Sequence, residues 1–474
     1  MWTRDHGTPG ARAGAYRRPG RARRAWLPVC LLLAACAPAG DEARGPASRA
    51  ALPDRGALPP MQTFAAPRPM APQRANRDIM RDFLDLSFQM ESGRTLPRFS
   101  RFEGPVTVRL TGAPPARLAT DLDRLIDRLR TEADLDIRRV TGGGANITIE
   151  AIPRALIRRY VPTAACFVVP NISRITEYRQ ARRLQRTDWT RITRRDRIAI
   201  FVPNDSSPQE ARDCLHEELA QSLGPLNDLY RLSDSVFNDD NMHAVLTGFD
   251  MLILRTYYAP ELTSGMTRQE VAARLPAILS RLNPQGDRIA SLDRTPTPRA
   301  WINAMQAALA PGTRPAARRT AAAKALRIAQ ASGLADHRRG FSHFALGKLL
   351  QGSDPGRARD QFLAADQFFR RSPGTDIHRA HVGVHLASQD LEAGRGDDAL
   401  KRLAPHVETA KRHENAALLA TLLMLRADAL DLTGDAAEAR RVRLDSLGWA
   451  RYGYGLDWSI AVTDRRARRE EPKG

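Results

Sequence analysis

The chain is 474 residues long, with 73 Lys and Arg against 53 Asp and Glu, a formal net charge of +20, and 42% hydrophobic residues. This is more apolar chain than one small domain needs, and it suits two or three domains with their own cores. Arg greatly outnumbers Lys and Ala is plentiful, as in proteins from GC-rich genomes, so the charge argues for a solvated basic surface and is no case for nucleic-acid binding.

The first elements decide the compartment. Arg12, Arg17, Arg18, Arg21, Arg23 and Arg24 precede a short apolar run at residues 26–35, too short to span a bilayer comfortably. The run ends in L-A-A-C at Cys36, which resembles a bacterial lipobox, where small residues fit the peptidase and the thiol accepts a diacylglycerol. Residues 1–36 are therefore expected to be a lipoprotein signal with lipidation at Cys36. Ala37 stands where an inner-membrane retention signal would place Asp, so anchoring to the outer membrane on its periplasmic side is expected. Loss of the leader leaves about 440 residues and a charge of about +14, because it holds seven Arg against one Asp. Residues 37–75 are dominated by Ala, Pro, Gly and Arg without hydrophobic period, and read as a disordered tether.

Order is expected from residues 79–84, an amphipathic helical start. An α+β alternation follows. Residues 106–110 (V-T-V-R-L) alternate as a strand, and Leu118, Leu122, Leu125, Ile126 and Leu129 have helical spacing within 118–135. A glycine turn at 141–145 leads to a strand at 147–150, and further strands are predicted at 167–169 and 197–203. Ser206, Ser207 and Pro208 then open a helix that runs through Cys214 and Gln221 to Gly224. Beyond residue 298 the strand signals vanish. Gly352, Gly394 and Gly434 end helices about forty residues apart, each followed by a second helix, in the manner of tetratricopeptide-type hairpins over 298–470 or of an irregular bundle. Such repeats stack into arrays with a concave binding face.

Two cysteines remain after the leader. An exported chain favours a Cys166–Cys214 bridge, the other reading being a pair of buried thiols.

The segment from Cys214 to Asp228, C-L-H-E-E-L-A-Q-S-L-G-P-L-N-D, carries the chemistry. Glu217 and Gln221, four apart, project from one helix face, and Glu218 follows where a zinc protease places its general base. The order of parts over residues 106–282 resembles the metzincin branch of zinc peptidases, with D-S-V-F-N at 234–238 in place of the methionine turn and Phe237 where that family keeps methionine. The wording is closer still to the bacterial domain of unknown function 2927 family: an E-E-x-x-Q-x-x-G helix at 217–224, N-D at 227–228, D-S-x-F at 234–237 and G-M-T at 265–267.

The resemblance implies an α+β metzincin-like domain (a mixed sheet plus an active-site-type helix) over residues 76–292, followed by an all-α helical-repeat domain. It places Glu217, Gln221 and Asn227 at the three metal-ligand positions and Glu218 at the general base. A register using His216 as first ligand leaves Ala220 at the second, so His216 is read as a flanking helix residue. The ligand set offers only oxygens, which suits a hard divalent cation such as Ca²⁺, Mg²⁺ or Mn²⁺ and not zinc. The expected function is an envelope lipoprotein with a degenerate, non-catalytic domain and an interaction array. Its partners would be the outer membrane through the anchor, and envelope proteins or peptidoglycan, with no nucleic acid. The alternative is a metal-assisted peptidase or amidase with Glu218 as base.

Overall fold

The computed structural model describes residues 58–65, 70–292, 295–310 and 312–456. Cys36, the leader and residues 457–470 of the expected helical domain lie outside them.

Five strands form one sheet in the order β2–β1–β3–β5–β4. β1 (Val106–Gly112), β2 (Ile137–Arg139), β3 (Ile147–Ile152) and β5 (Ile198–Pro203) run parallel, and β4 (Phe167–Pro170) pairs antiparallel at the β5 edge. β3 and β5 are nearly all buried, as expected of parallel strands covered on both faces. On one face, α1 (Asn76–Phe88), α2 (Leu118–Glu132), α5 (Pro208–Leu223), α6 (Gly248–Tyr257) and α7 (Arg268–Leu282) share the main core. The other face is covered at the β4–β5 half by two short helices, α3 (Arg154–Tyr160) and α4 (Ile175–Ala181), through Ile157, Ile175 and Ala181, with Ile172 from the loop before α4. Neither short helix nor the three-residue β2 was predicted, since each is shorter than the window in which a period can be read.

Between residues 299 and 453 the described chain is helical: α8 (Arg299–Leu309), α9 (Pro315–Ala331), α10 (His337–Leu350), α11 (Pro355–Arg371), α12 (Asp376–Glu392), α13 (Gly396–Arg412), α14 (Ala416–Leu432) and α15 (Ala436–Gly453). They pack as successive hairpins, α8 with α9 through to α14 with α15. Gly394 and Gly434 sit just past helix ends at φ +73° and +89°, the left-handed region that favours glycine there.

The tether expectation fails over its described part. Phe64 is buried and its ring lies 4.5 Å from that of Trp449, the Gln62 amide donates to the Gly448 carbonyl, and Arg451 donates to the Pro59 carbonyl. Arg74 joins Asp82 of α1 to Asp234 and lies over the Phe249 ring. A single buried aromatic and an ion-paired Arg suffice to dock such a stretch, and neither has a period to announce it.

Cys166, just before β4, is bridged to Cys214 of α5 with 5.9 Å between their Cα atoms. The bond fastens the sheet edge to the helix that carries the E-E-x-x-Q pattern. Replacing both cysteines by serine should cost about 2–4 kcal/mol, mainly by freeing the unfolded chain. Thermal unfolding with and without reductant checks this: only the wild type should respond to reductant, and equal melting of all samples would refute it.

Candidate functional site

α5 begins at Ser207, whose hydroxyl accepts from the Glu210 amide, with Pro208 in the first turn. Its far end is closed by Arg195, 3% exposed. The Arg195 guanidinium donates to the carbonyls of Gln221 (2.6 Å), Ser222 (2.8 Å) and Gly224 (2.5 Å) and lies over the Trp189 ring. The last carbonyls of a helix have no partner within it, so a cation held there satisfies them and opposes the helix dipole. Gly224 has an extended φ of −161° that any residue adopts. Glycine is required there because an added Cβ would stand 2.9 Å from the Tyr257 ring.

Along α5 the carboxylates separate by exposure. Glu217 and Gln221 are half-buried and share a face, whereas Glu218, one residue round, is 5% exposed. Asp228 is half-buried in the chain after α5, Glu91 stands exposed after α1, and Asp239 accepts from the Tyr230 hydroxyl. These acids act on one another. Burial, then Asp228 and Glu91, push the Glu218 carboxyl up to about 8. Burial and neighbouring carboxylates also hold Glu217 and Asp228 well above the usual range, and Asp239 is pushed to about 6. Glu218 Oε2 and Asp228 Oδ1 are sealed from solvent and have no hydrogen-bond partner among the described residues. Buried like charges cannot all ionise, so at neutral pH the cluster holds protons. Glu218 is thus a carboxylic acid near pH 7 and would serve as proton donor before it could serve as base.

The three ligand positions are placed as follows. Glu217 belongs to this acid cluster, and Gln221 is one turn along on the same face. Asn227, 5% exposed, spends its amide nitrogen on the Asp85 carbonyl of α1 at 3.0 Å. A carboxyl that keeps its proton and two neutral amides do not fit zinc. Among the described residues, no three His, Cys, Asp or Glu side chains converge to hold a metal ion. His216 is buried, and its Nδ1 accepts from the Leu246 amide at 3.1 Å. Burial, with Arg128 and Arg212 nearby, keeps it neutral.

Two residues behind the site escaped the sequence reading. Asp250 is fully buried; it accepts from the Ser235 hydroxyl and from the Val236 and Thr247 amides, which fixes the D-S-x-F turn to α6. Its signal was present as a T-x-x-D capping box at Thr247. Arg195 left none, because its partners are backbone carbonyls of a helix far along the chain.

The outer side of α5 is covered by the helical region. Gln209 donates to Asn415 and accepts from the Ala417 amide, while Arg212 pairs with Glu414. His378 contacts Asp240 at 2.8 Å, and His337 donates to the Tyr230 carbonyl. A cavity of about 410 Å³ lies along this junction, lined by Arg128, Phe249, Phe369, Arg379 and Arg412, and it does not include the acid cluster.

Residues 76–277 match the family described as "Protein of unknown function (DUF2927)". The match spans the sheet, α5 and the N-D, D-S-x-F and G-M-T segments, and stops before the helical region. No curated protein and no solved structure matches the chain.

Proposed function

We propose that the protein is an envelope lipoprotein, anchored through Cys36 to the periplasmic side of the outer membrane. In this reading residues 76–292 keep a metzincin-like layout without its metal chemistry, and the tetratricopeptide-like array engages envelope proteins or peptidoglycan. One observation carries it: the carboxyls at the ligand and base positions are crowded with Asp228 in a buried cluster, where burial and mutual repulsion favour their protonated forms. Metal ligands must be deprotonated, so a proton-loaded set competes poorly for a cation. The array's engagement of α5 and of the loop through Tyr230 and Asp240 leaves its opposite faces to meet partners.

A second reading, hydrolysis with Glu218 as the proton-transferring group, draws on the orphaned oxygens of Glu218 and Asp228. The two are separated by metal analysis of protein purified without chelator, combined with peptide and cell-wall hydrolysis assays of wild type and Glu218→Gln. The expected outcome is no stoichiometric metal and no activity in either protein. An activity present in the wild type and lost in a stably folded Glu218→Gln would establish the second reading.

A further inference from the structure

Residues 154–197 hold twelve arginines and only three acids. Each acid is spent: Glu177 on Arg197 (3.3 Å), Asp188 on Arg94 (3.0 Å) and Asp196 on Arg194 (3.0 Å). Arg158, Arg159, Arg174, Arg179, Arg183 and Arg186 are exposed and stand in no ion pair among the described residues. The fold gathers them. α3 and α4 turn Ile157, Ile175 and Ala181 onto the sheet; the Tyr160 ring of α3 lies 5.7 Å from the Tyr178 ring of α4, which in turn lies 5.2 Å from Phe167 of β4. Their outer faces therefore form one surface beside β4. Leu184, 52% exposed, protrudes between Arg183 and Arg186, and Arg182 lies over the Tyr160 ring.

Six exposed arginines without partner acids among the described residues concentrate positive charge on this face, and Leu184 adds an apolar tip among them. We propose that this face docks on an anionic lipid bilayer. The guanidinium groups would meet headgroup phosphates, which they bind through paired N–H donors, and Leu184 would enter the acyl boundary. Each basic residue near such a surface is worth about a fivefold gain in binding, so the patch would hold the body of the protein flat against the membrane. The apolar tip favours lipid over a nucleic acid, whose binding uses charge and ring stacking.

The inference does not depend on acylation, and the test removes it. Full-length Cys36→Ala protein is co-sedimented with phosphatidylglycerol-containing and with pure phosphatidylcholine vesicles. The same background carrying Arg158→Gln, Arg159→Gln, Arg179→Gln, Arg183→Gln and Arg186→Gln is compared with it, so any contribution of the leader cancels. Binding should require phosphatidylglycerol and fall with salt. It should weaken at least tenfold in the five-site variant, and a few-fold in Leu184→Ser with the salt dependence unchanged. Equal sedimentation of the five-site variant, with its melting temperature retained, would overturn the proposal. So would binding of a thymidine oligonucleotide by the parent protein without binding of the anionic vesicles.

Discussion

Between pH 6.5 and 8 the folded protein should lose stability as the pH rises, and Glu218→Gln should flatten that loss. The Glu218 carboxyl titrates near 8 in the fold against an ordinary value of 4.5, so over the interval between them the native state holds a proton that the unfolded chain has released. Stability then falls with rising pH at a slope approaching about 1.4 kcal/mol per unit for this group. Glu217 and Asp228 are raised by the same cause and act in the same direction. Buried neutral histidines oppose them only at lower pH. His243 and His381 are pushed down to about 4 and about 3, so their contribution is lost as the pH falls below 6.5 and is constant above it. Urea unfolding at half-unit steps should therefore give a Glu218→Gln protein about 2 kcal/mol better off at pH 8 than at pH 6.5, relative to wild type. Parallel curves for the two proteins would show that Glu218 is not a buried acid. A divalent cation bound by the cluster would reverse the sign in the wild type, because its ligands must be ionised.

Arg195→Met should be the most damaging single substitution near the site. Three carbonyls at the end of α5 depend on this guanidinium, and methionine fills the space while offering no donor. A buried polar group stripped of its partner costs about 1–3 kcal/mol, and the three share one donor set, so a total of about 3–5 kcal/mol is expected. With residues 76–292 unfolding as one unit, that lowers the melting temperature by roughly 7–11 °C. Arg195→Lys should recover only part of the loss, since one ammonium cannot reproduce the planar fork. An opposing effect acts on the same residue: the charge is buried and burial depresses its basicity, so a neutral residue is relieved of a desolvation cost. Methionine melting within a few degrees of wild type would mean that this relief outweighs the lost hydrogen bonds.

Elements with local signals are legible from the residues alone. The β1, β3 and β5 runs alternate or are continuously apolar, α2 has a clear 3.6-residue period, and the caps at Ser207 and the glycines at 394 and 434 mark helix ends with residue types that few other conformations favour. The sequence also placed Glu217, Glu218, Gln221 and Asn227 on one helix and its exit, because spacing along a helix is fixed by geometry. What lies across from a residue is known only once the chain has folded. Whether Glu218 is a base or a proton-bearing acid turns on its burial beside Asp228 and Glu91, which are distant from it in sequence by different amounts and announce nothing in it. Docking of Phe64 under Trp449, the closing of α5 by Arg195 and the covering of its outer side by the array are long-range pairings of single side chains. A lone aromatic or a lone arginine has no periodicity, so its partner becomes known only when the chain has folded back to supply it.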